Sequence, residues 1–220
     1  MADFAHFLLK LLAAEGGYCH TPGDAGQETW RGVARAFHPS WSGWPLVDQA
    51  KARLGLASPV APAAYPRLNR ALGADPQLAA QVRALYKGLY WDALHLDNCA
   101  SQAVAEQLAD HGVNAGTTRP PRMLQYVLRQ LGHPEVAEDG RLGPYTLAAA
   151  NACPAPALFQ ALAELRRDFY RYRAGALALP LADPLRGLFE RLRVRPDGRQ
   201  RKFLGSWLAR VAAIAPPPAG

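Results

Sequence analysis

The sequence predicts an all-α, mainly helical protein with one short irregular or hairpin-like loop near its start. Three observations carry that expectation. Ala and Leu are abundant whereas Val and Ile are scarce, which favours helices over strands. Apolar residues recur at helical spacing in segment after segment. Only the stretch from Glu15 to Val33 breaks this rhythm, with Gly16, Gly17, Gly23, Gly26 and Gly32 punctuating it, as tight turns and close backbone approach require.

The elements follow in order. Phe4, Phe7, Leu8, Leu11 and Leu12 mark a helix ending near Ala14. After the Gly-rich loop, His38 to Pro45 is aromatic and turn-rich; Trp41 and Trp44 either stack on a ligand or pack in the core. A helix is predicted over 46–54, a Pro-rich loop over 55–66, and helices over 76–88 and 101–112, the latter closed by Asn114 and Gly116. Tyr86, Tyr90 and Trp91 line a cleft or fill a core. Met123, Leu124, Val127, Leu128 and Leu131 form an amphipathic stripe, and residues 139–144 a turn into a short helix. Leu158, Leu162, Leu165, Phe169 and Tyr172 form another stripe, with Arg166, Arg167, Arg171 and Arg173 assigned to its opposite face. Helices over 185–193 and 202–214 precede a flexible tail, 215–220. The expected organisation is a region 1–116 and a region 117–214 packed as one body, because no long linker separates them.

Glu15 is the residue with the clearest chemical reading. About three turns after Phe4, it falls near the apolar face and at a helix C-terminus, where the macrodipole disfavours negative charge. A carboxyl that keeps its proton is what protonation of a glycosidic oxygen requires. The bland alternative is a solvated Glu before a Gly C-cap. Asp24, nine residues on, is either a general base brought back across a cleft by a hairpin-like turn or an Asx-turn residue. Thr29 would orient the water. For Glu28 and Thr29 the alternative is first-turn placement in a helix running through Val33, Ala34 and Phe37. Asp110 is a backup second carboxylate.

Glu15-Gly16-Gly17-Tyr18, followed by Pro22-x-Asp24-x-Gly26-x-Glu28-Thr29-x-x-Gly32, resembles the signature of glycoside hydrolase family 108, a family of N-acetylmuramidases that includes phage endolysins and secretion activator proteins. Tyr90-Trp91-Asp92, Val113-Asn114-Ala115-Gly116, Asp139-Gly140-Arg141-Leu142-Gly143-Pro144-Tyr145-Thr146 and Arg167-Asp168-Phe169-Tyr170 fit in the same order, the last two within a C-terminal half similar to a peptidoglycan-binding segment. The resemblance runs from about Phe4 to Trp207. It implies a lysozyme-like fold and cleavage between N-acetylmuramic acid and N-acetylglucosamine, with Glu15 essential and Asp24 and Thr29 in supporting catalytic roles. Tyr18, Glu28, Trp30, Tyr90, Trp91 and Asn114 are the expected substrate contacts. Gln27 and Trp30 depart from the family pattern and bear on specificity rather than on the reaction.

Composition narrows the partners. Twenty-five Lys and Arg against 18 acidic residues give a net charge of +7, which favours polyanions such as the bacterial wall. The charge is densest at Arg186, Arg191, Arg193, Arg195, Arg199, Arg201 and Lys202, either a wall-binding surface or a solvated face. No nucleic-acid module, zinc-ligand spacing or membrane span is legible, and no cofactor or metal is expected. Cys19, Cys99 and Cys153 are odd in number and far apart, against a disulfide framework. No secretory signal is recognised, so a cytoplasmically made monomer acting on peptidoglycan in the periplasm or wall would need a holin or secretion machinery. The alternatives to a muramidase are a non-catalytic wall-binding accessory protein and a lytic transglycosylase.

Overall fold

The computed structural model describes residues 1–20 and 26–218. The chain is mainly helical with one small three-stranded antiparallel sheet. It divides into two compact units, residues 4–88 and residues 89–220 together with 1–3.

In the unit of residues 4–88, α1 (Phe4–Ala14) leads into the sheet, formed by β1 (Tyr18–His20), β2 (Glu28–Trp30) and β3 (Val33–Ala34). The strands run as a meander, with Tyr18 opposite Trp30, Cys19 opposite Thr29, His20 opposite Glu28, and Trp30 opposite Val33. The helix considered through Val33 and Phe37 does not form. Residues 28–30 and 33–34 are strands instead, where Thr, Trp and Val fit well. Then follow α2 (Trp44–Arg53), α3 (Tyr65–Gly73) and α4 (Pro76–Tyr86). Each carries a Pro in its first turn, where the missing N–H costs nothing. Asp75 caps α4 by accepting from the N–H groups of Gln77 (2.9 Å) and Leu78 (3.0 Å).

α3 is absent from the sequence-based expectation. Only Leu68 and Leu72 are buried along it, a single i,i+4 pair and too short a stripe to announce a helix. Trp41 and Trp44 resolve to packing. Both are buried, their rings meet edge to face at 5.1 Å, and their indole N–H groups donate to the carbonyls of Gln81 (3.3 Å) and His38 (2.7 Å).

The larger unit is built on α5 (Gln102–Ala115), α6 (Arg119–Gln130), α7 (Pro144–Ala152), α8 (Ala155–Arg173), α9 (Pro184–Arg191) and α10 (Leu204–Ala212). α5 is central: residues 103–112 are buried without interruption, and it packs on α6 and α8. Ser101 caps its start and Gly116, at φ +85°, closes its end. Gln125, fully buried on α6, shapes the Asp139–Arg141 turn. Its amide donates to Asp139 Oδ1 (2.7 Å) and the Arg141 carbonyl (3.0 Å) and accepts from the Gly140 N–H (2.8 Å).

A buried helix with polar residues must satisfy them internally. Asp110 is therefore no spare catalytic carboxylate: Arg166 Nη2 of α8 and Arg210 Nε of α10 each reach it at 2.7 Å. Arg166 is only 2% exposed. Its assignment with Arg167, Arg171 and Arg173 to the face opposite the apolar stripe is thus corrected, because the tertiary partner Asp110 draws it inward. Removing Arg166 leaves the buried Asp110 carboxylate with Arg210 alone. Arg166→Leu is expected to lower unfolding free energy by about 3 kcal/mol in urea melts, with far-UV helicity retained at low denaturant.

Candidate active site

The local fold around Glu15 starts from the β2–β3 connection. Trp30 pairs with Val33, so only Arg31 and Gly32 link the strands, at φ +45° and +78°. Positive φ at both positions is the hand of a type I′ turn, which matches the twist of the paired strands. Glycine at the second position has a further reason. A Cβ on Gly32 would lie 2.8 Å from Glu15 Oε2 and would collide with the Tyr86 hydroxyl. The Glu15 carboxylate and the Tyr86 phenol therefore both close on the bare Cα of this turn. Tyr86, buried at the end of α4, donates to the Arg31 carbonyl at 2.8 Å and fixes the turn from beneath. Glu15 itself is half-buried, just beyond α1, with its N–H still bonded to the Leu11 carbonyl at 3.0 Å.

β1 is held by α3. The Tyr18 N–H donates to Asn69 Oδ1 (2.6 Å), and the Tyr65 hydroxyl both accepts from the His20 N–H and donates to its carbonyl (3.0 Å each). A side chain on Gly17 would meet Asn69 at 2.5 Å, so glycine there permits this approach. Asn69 and Tyr65 carry no sequence signal that ties them to the loop, since the contacts span 51 and 45 residues.

The other expected site residues of this unit take different positions. Glu28, expected as a substrate contact, is 3% exposed. Its Oε1 accepts from Lys51 Nζ and the Tyr18 hydroxyl (2.7 Å each) and its Oε2 from Arg35 Nε. Asp48 extends the network to Arg35 and Lys51, both at 2.7 Å. Burial pushes the Glu28 carboxyl up, but hydrogen bonds from Lys51 and Tyr18, with the charges of Lys51 and Arg35, outweigh it and hold the group below its ordinary range. Glu28 is thus a fixed anion that ties β2 to α2 and cannot deliver a proton. Burial, then donation to Glu28, pushes the Tyr18 phenol far up, so it stays a neutral donor. Tyr18 and Trp30 are each 3% exposed and present core surface. Thr29 lies on the opposite face of the sheet, half-buried, across from exposed Cys19. Asp24 lies outside the described residues.

Three expected contacts belong to the larger unit. Trp91 is fully buried, its indole N–H donating to Asp97 Oδ1 at 2.6 Å. Tyr90 is half-buried, with a ring carbon 3.7 Å from where a Gly112 Cβ would be. Both pack rather than stand open because residues 87–91 wind as a π-helical turn continuing α4 and turning Trp91 inward. Asn114, at the end of α5, lines an open pocket, and its Nδ2 has no partner among the described residues. Cys19, Cys99 and Cys153 are all free thiols, the last two buried. No described helix is long and apolar enough to cross a membrane.

Comparison with known proteins matches residues 8–116 to the family described as glycosyl hydrolase 108, and residues 119–212 to the family described as predicted peptidoglycan domain. The first match ends at the C-cap of α5, although α5 packs within the larger unit. The solved structure of Brucella abortus SagA is similar at 21% identity, covering 96% of this chain and 94% of that one, with a TM-score of 0.49. No curated protein matches the chain.

Two outcomes are expected. Gly32→Ala adds a Cβ against Glu15 at a positive φ. It should displace the carboxylate and cost about 1 kcal/mol of stability, measured by thermal melts beside a crystal structure of the variant. Glu28→Gln should destabilise the protein by about 3 kcal/mol at neutral pH. The carboxyl is depressed in the folded state, so its contribution is full above its unfolded value of about 4.3 and fades as pH falls through the lower folded value. The stability gap between wild type and Glu28→Gln, followed by urea titration, should therefore close in acid.

Proposed function

The chain belongs to the glycosyl hydrolase 108 family and carries a predicted peptidoglycan domain behind the catalytic segment, and from that premise we propose that it hydrolyses the β-1,4 bond between N-acetylmuramic acid and N-acetylglucosamine. Glu15 protonates the leaving glycosidic oxygen. Asp24 acts as general base on a water that Thr29 orients, on the opposite face of the sugar, as inversion requires. The observation that carries the reading is the placement of Glu15. It is a half-buried carboxylate held against the Gly32 turn, whereas the neighbouring acid, Glu28, is locked as a buried anion.

The reaction needs no cofactor under this scheme, since a proton donor and an activated water suffice. Acting on peptidoglycan places the protein in the periplasm or wall, and delivery there would fall to a holin or a secretion machinery.

The test is a turbidity and product-mass assay on purified sacculi, with wild type beside Glu15→Gln. Wild type is expected to release reducing muropeptides carrying one added water. Glu15→Gln should lose at least a hundredfold in rate, the scale of general-acid catalysis, while keeping its melting temperature. Products lacking the added water would make the enzyme a lytic transglycosylase. Binding without any release would make it a wall-binding accessory protein.

A further inference from the structure

The larger unit holds a pocket of 450 Å³ lined by Asn114, Arg119, Arg173, Arg193, Arg195 and Asp197, among others. Its charge is unbalanced. Among the described residues, none of the four arginines has a carboxylate partner. The only acid in the wall, Asp197, is engaged bidentately by Arg199 and accepts the N–H of that residue at 3.0 Å.

Two of the guanidinium groups are already positioned. Arg119 donates to the Leu192 carbonyl at 3.3 Å and to the Ala115 carbonyl at the end of α5. Arg173 lies over the Trp207 ring, 5.2 Å from its centroid. Burial first, and the nearby Arg173 charge second, push Arg119 below its ordinary value. Arg193, an exposed non-glycine residue at φ +55°, and Arg195 stand in the segment after α9. The neighbouring basic residues differ: Arg186, Arg191 and Arg199 each pair with a carboxylate, and Arg201 donates to the Gly175 carbonyl at 2.7 Å. The arginines of the basic run seen in the sequence therefore sort into tied cations and the pair that lines this pocket, while Lys202 lies over the Phe203 ring, 5.0 Å from its centroid. Asn114, whose buried Nδ2 has no partner among the described residues, lines the same pocket and adds a neutral amide to its wall.

We propose that this pocket is a carboxylate-binding site that takes the peptide stem of peptidoglycan. Guanidinium forks match carboxylates in bidentate geometry, and an amide donor completes recognition of an acyl group. Asp197 favours this ligand over a polyphosphate, because a stem that ends in a diamino acid brings an ammonium group beside its carboxylates. The glycan would then be cut at Glu15 while the stem is read in a separate pocket. The assignment of the ligand rests on the peptidoglycan reading above.

The test is calorimetric titration of the full chain with a synthetic stem tripeptide, L-Ala–γ-D-Glu–diaminopimelate, as free acid and with its carboxyls amidated. The free acid is expected to bind at least tenfold more tightly than the amide. The double variant Arg193→Asn/Arg195→Gln should weaken free-acid binding at least tenfold with an unchanged melting temperature, since Asn tolerates positive φ. Arg67→Gln/Arg70→Gln, which removes the same charge from exposed positions on α3, should leave binding unchanged. Failure of the free acid to bind, equal binding of acid and amide, or equal losses in the two double variants would each overturn the proposal. Tighter binding of inorganic pyrophosphate than of the stem would overturn it too, in favour of a phosphate site. A wild type that cuts sacculi yet ignores the stem loses only this inference. One that binds the stem and cuts nothing loses only the hydrolase reading.

Discussion

A carboxylate buried against a three-stranded sheet has to be neutralised, and much of the smaller unit follows from how Glu28 is. Its oxygens take Lys51, Arg35 and the Tyr18 hydroxyl, so β2 is fastened to α2 and to β1 at a single residue. With β2 in place, the two-residue turn at Arg31 and Gly32 has one position open to it, and that position sets where the Glu15 carboxylate rests. An isolated meander of strands only two or three residues long would not be stable in water. Here its outer strand is completed by Tyr65 and Asn69 of α3, and its turn by Tyr86 of α4. The helices serve the site by supplying hydrogen bonds that the sheet is too small to make for itself.

The larger unit repeats the principle with a different pair. Asp110 sits in the buried middle of α5 and is matched by arginines from α8 and α10, which joins three helices through one anion. Such a pair contributes little net stability over an apolar core, but it is costly to break. Nearby, His111 is buried between Phe169 and Tyr170, 4.8 and 5.6 Å between ring centroids. Burial first, and the surrounding arginines second, push its imidazole far below the ordinary range, so it stays neutral. Positive charge in this unit is thus divided between arginines matched by a carboxylate, such as Arg166 and Arg210 on Asp110, and four around an open pocket that have no carboxylate partner among the described residues.

The long helices were legible because their stripes are long: α8 shows five apolar residues at helical spacing, and α6 nearly as many. α3 was not, because its helical character rests on one buried pair and on contacts to β1 some fifty residues away. Residues 28–34 read as site positions or as the first turn of a helix, and the structure makes 28–30 and 33–34 strands instead. Pairing with β1 decided this, as strand formation commonly depends on neighbours more than on intrinsic preference.

Composition and periodicity alone determined that the protein is mainly helical, that a Gly-rich loop interrupts it after Glu15, and that it carries excess positive charge. These properties depend on local spacing and on counting, which a linear chain displays in full. Tertiary structure decided the roles within each motif. Glu15 and Glu28 belong to one short stretch of chain. One is half-buried beside a bare glycine Cα and the other sealed among Lys51, Arg35 and Tyr18. Likewise Arg166 and Arg173 lie on one helix, yet Asp110 buries the first and the second borders an open pocket. The reason is the same in both cases: the behaviour of an ionisable group depends on the charges and solvent around it, and those neighbours come from distant parts of the chain.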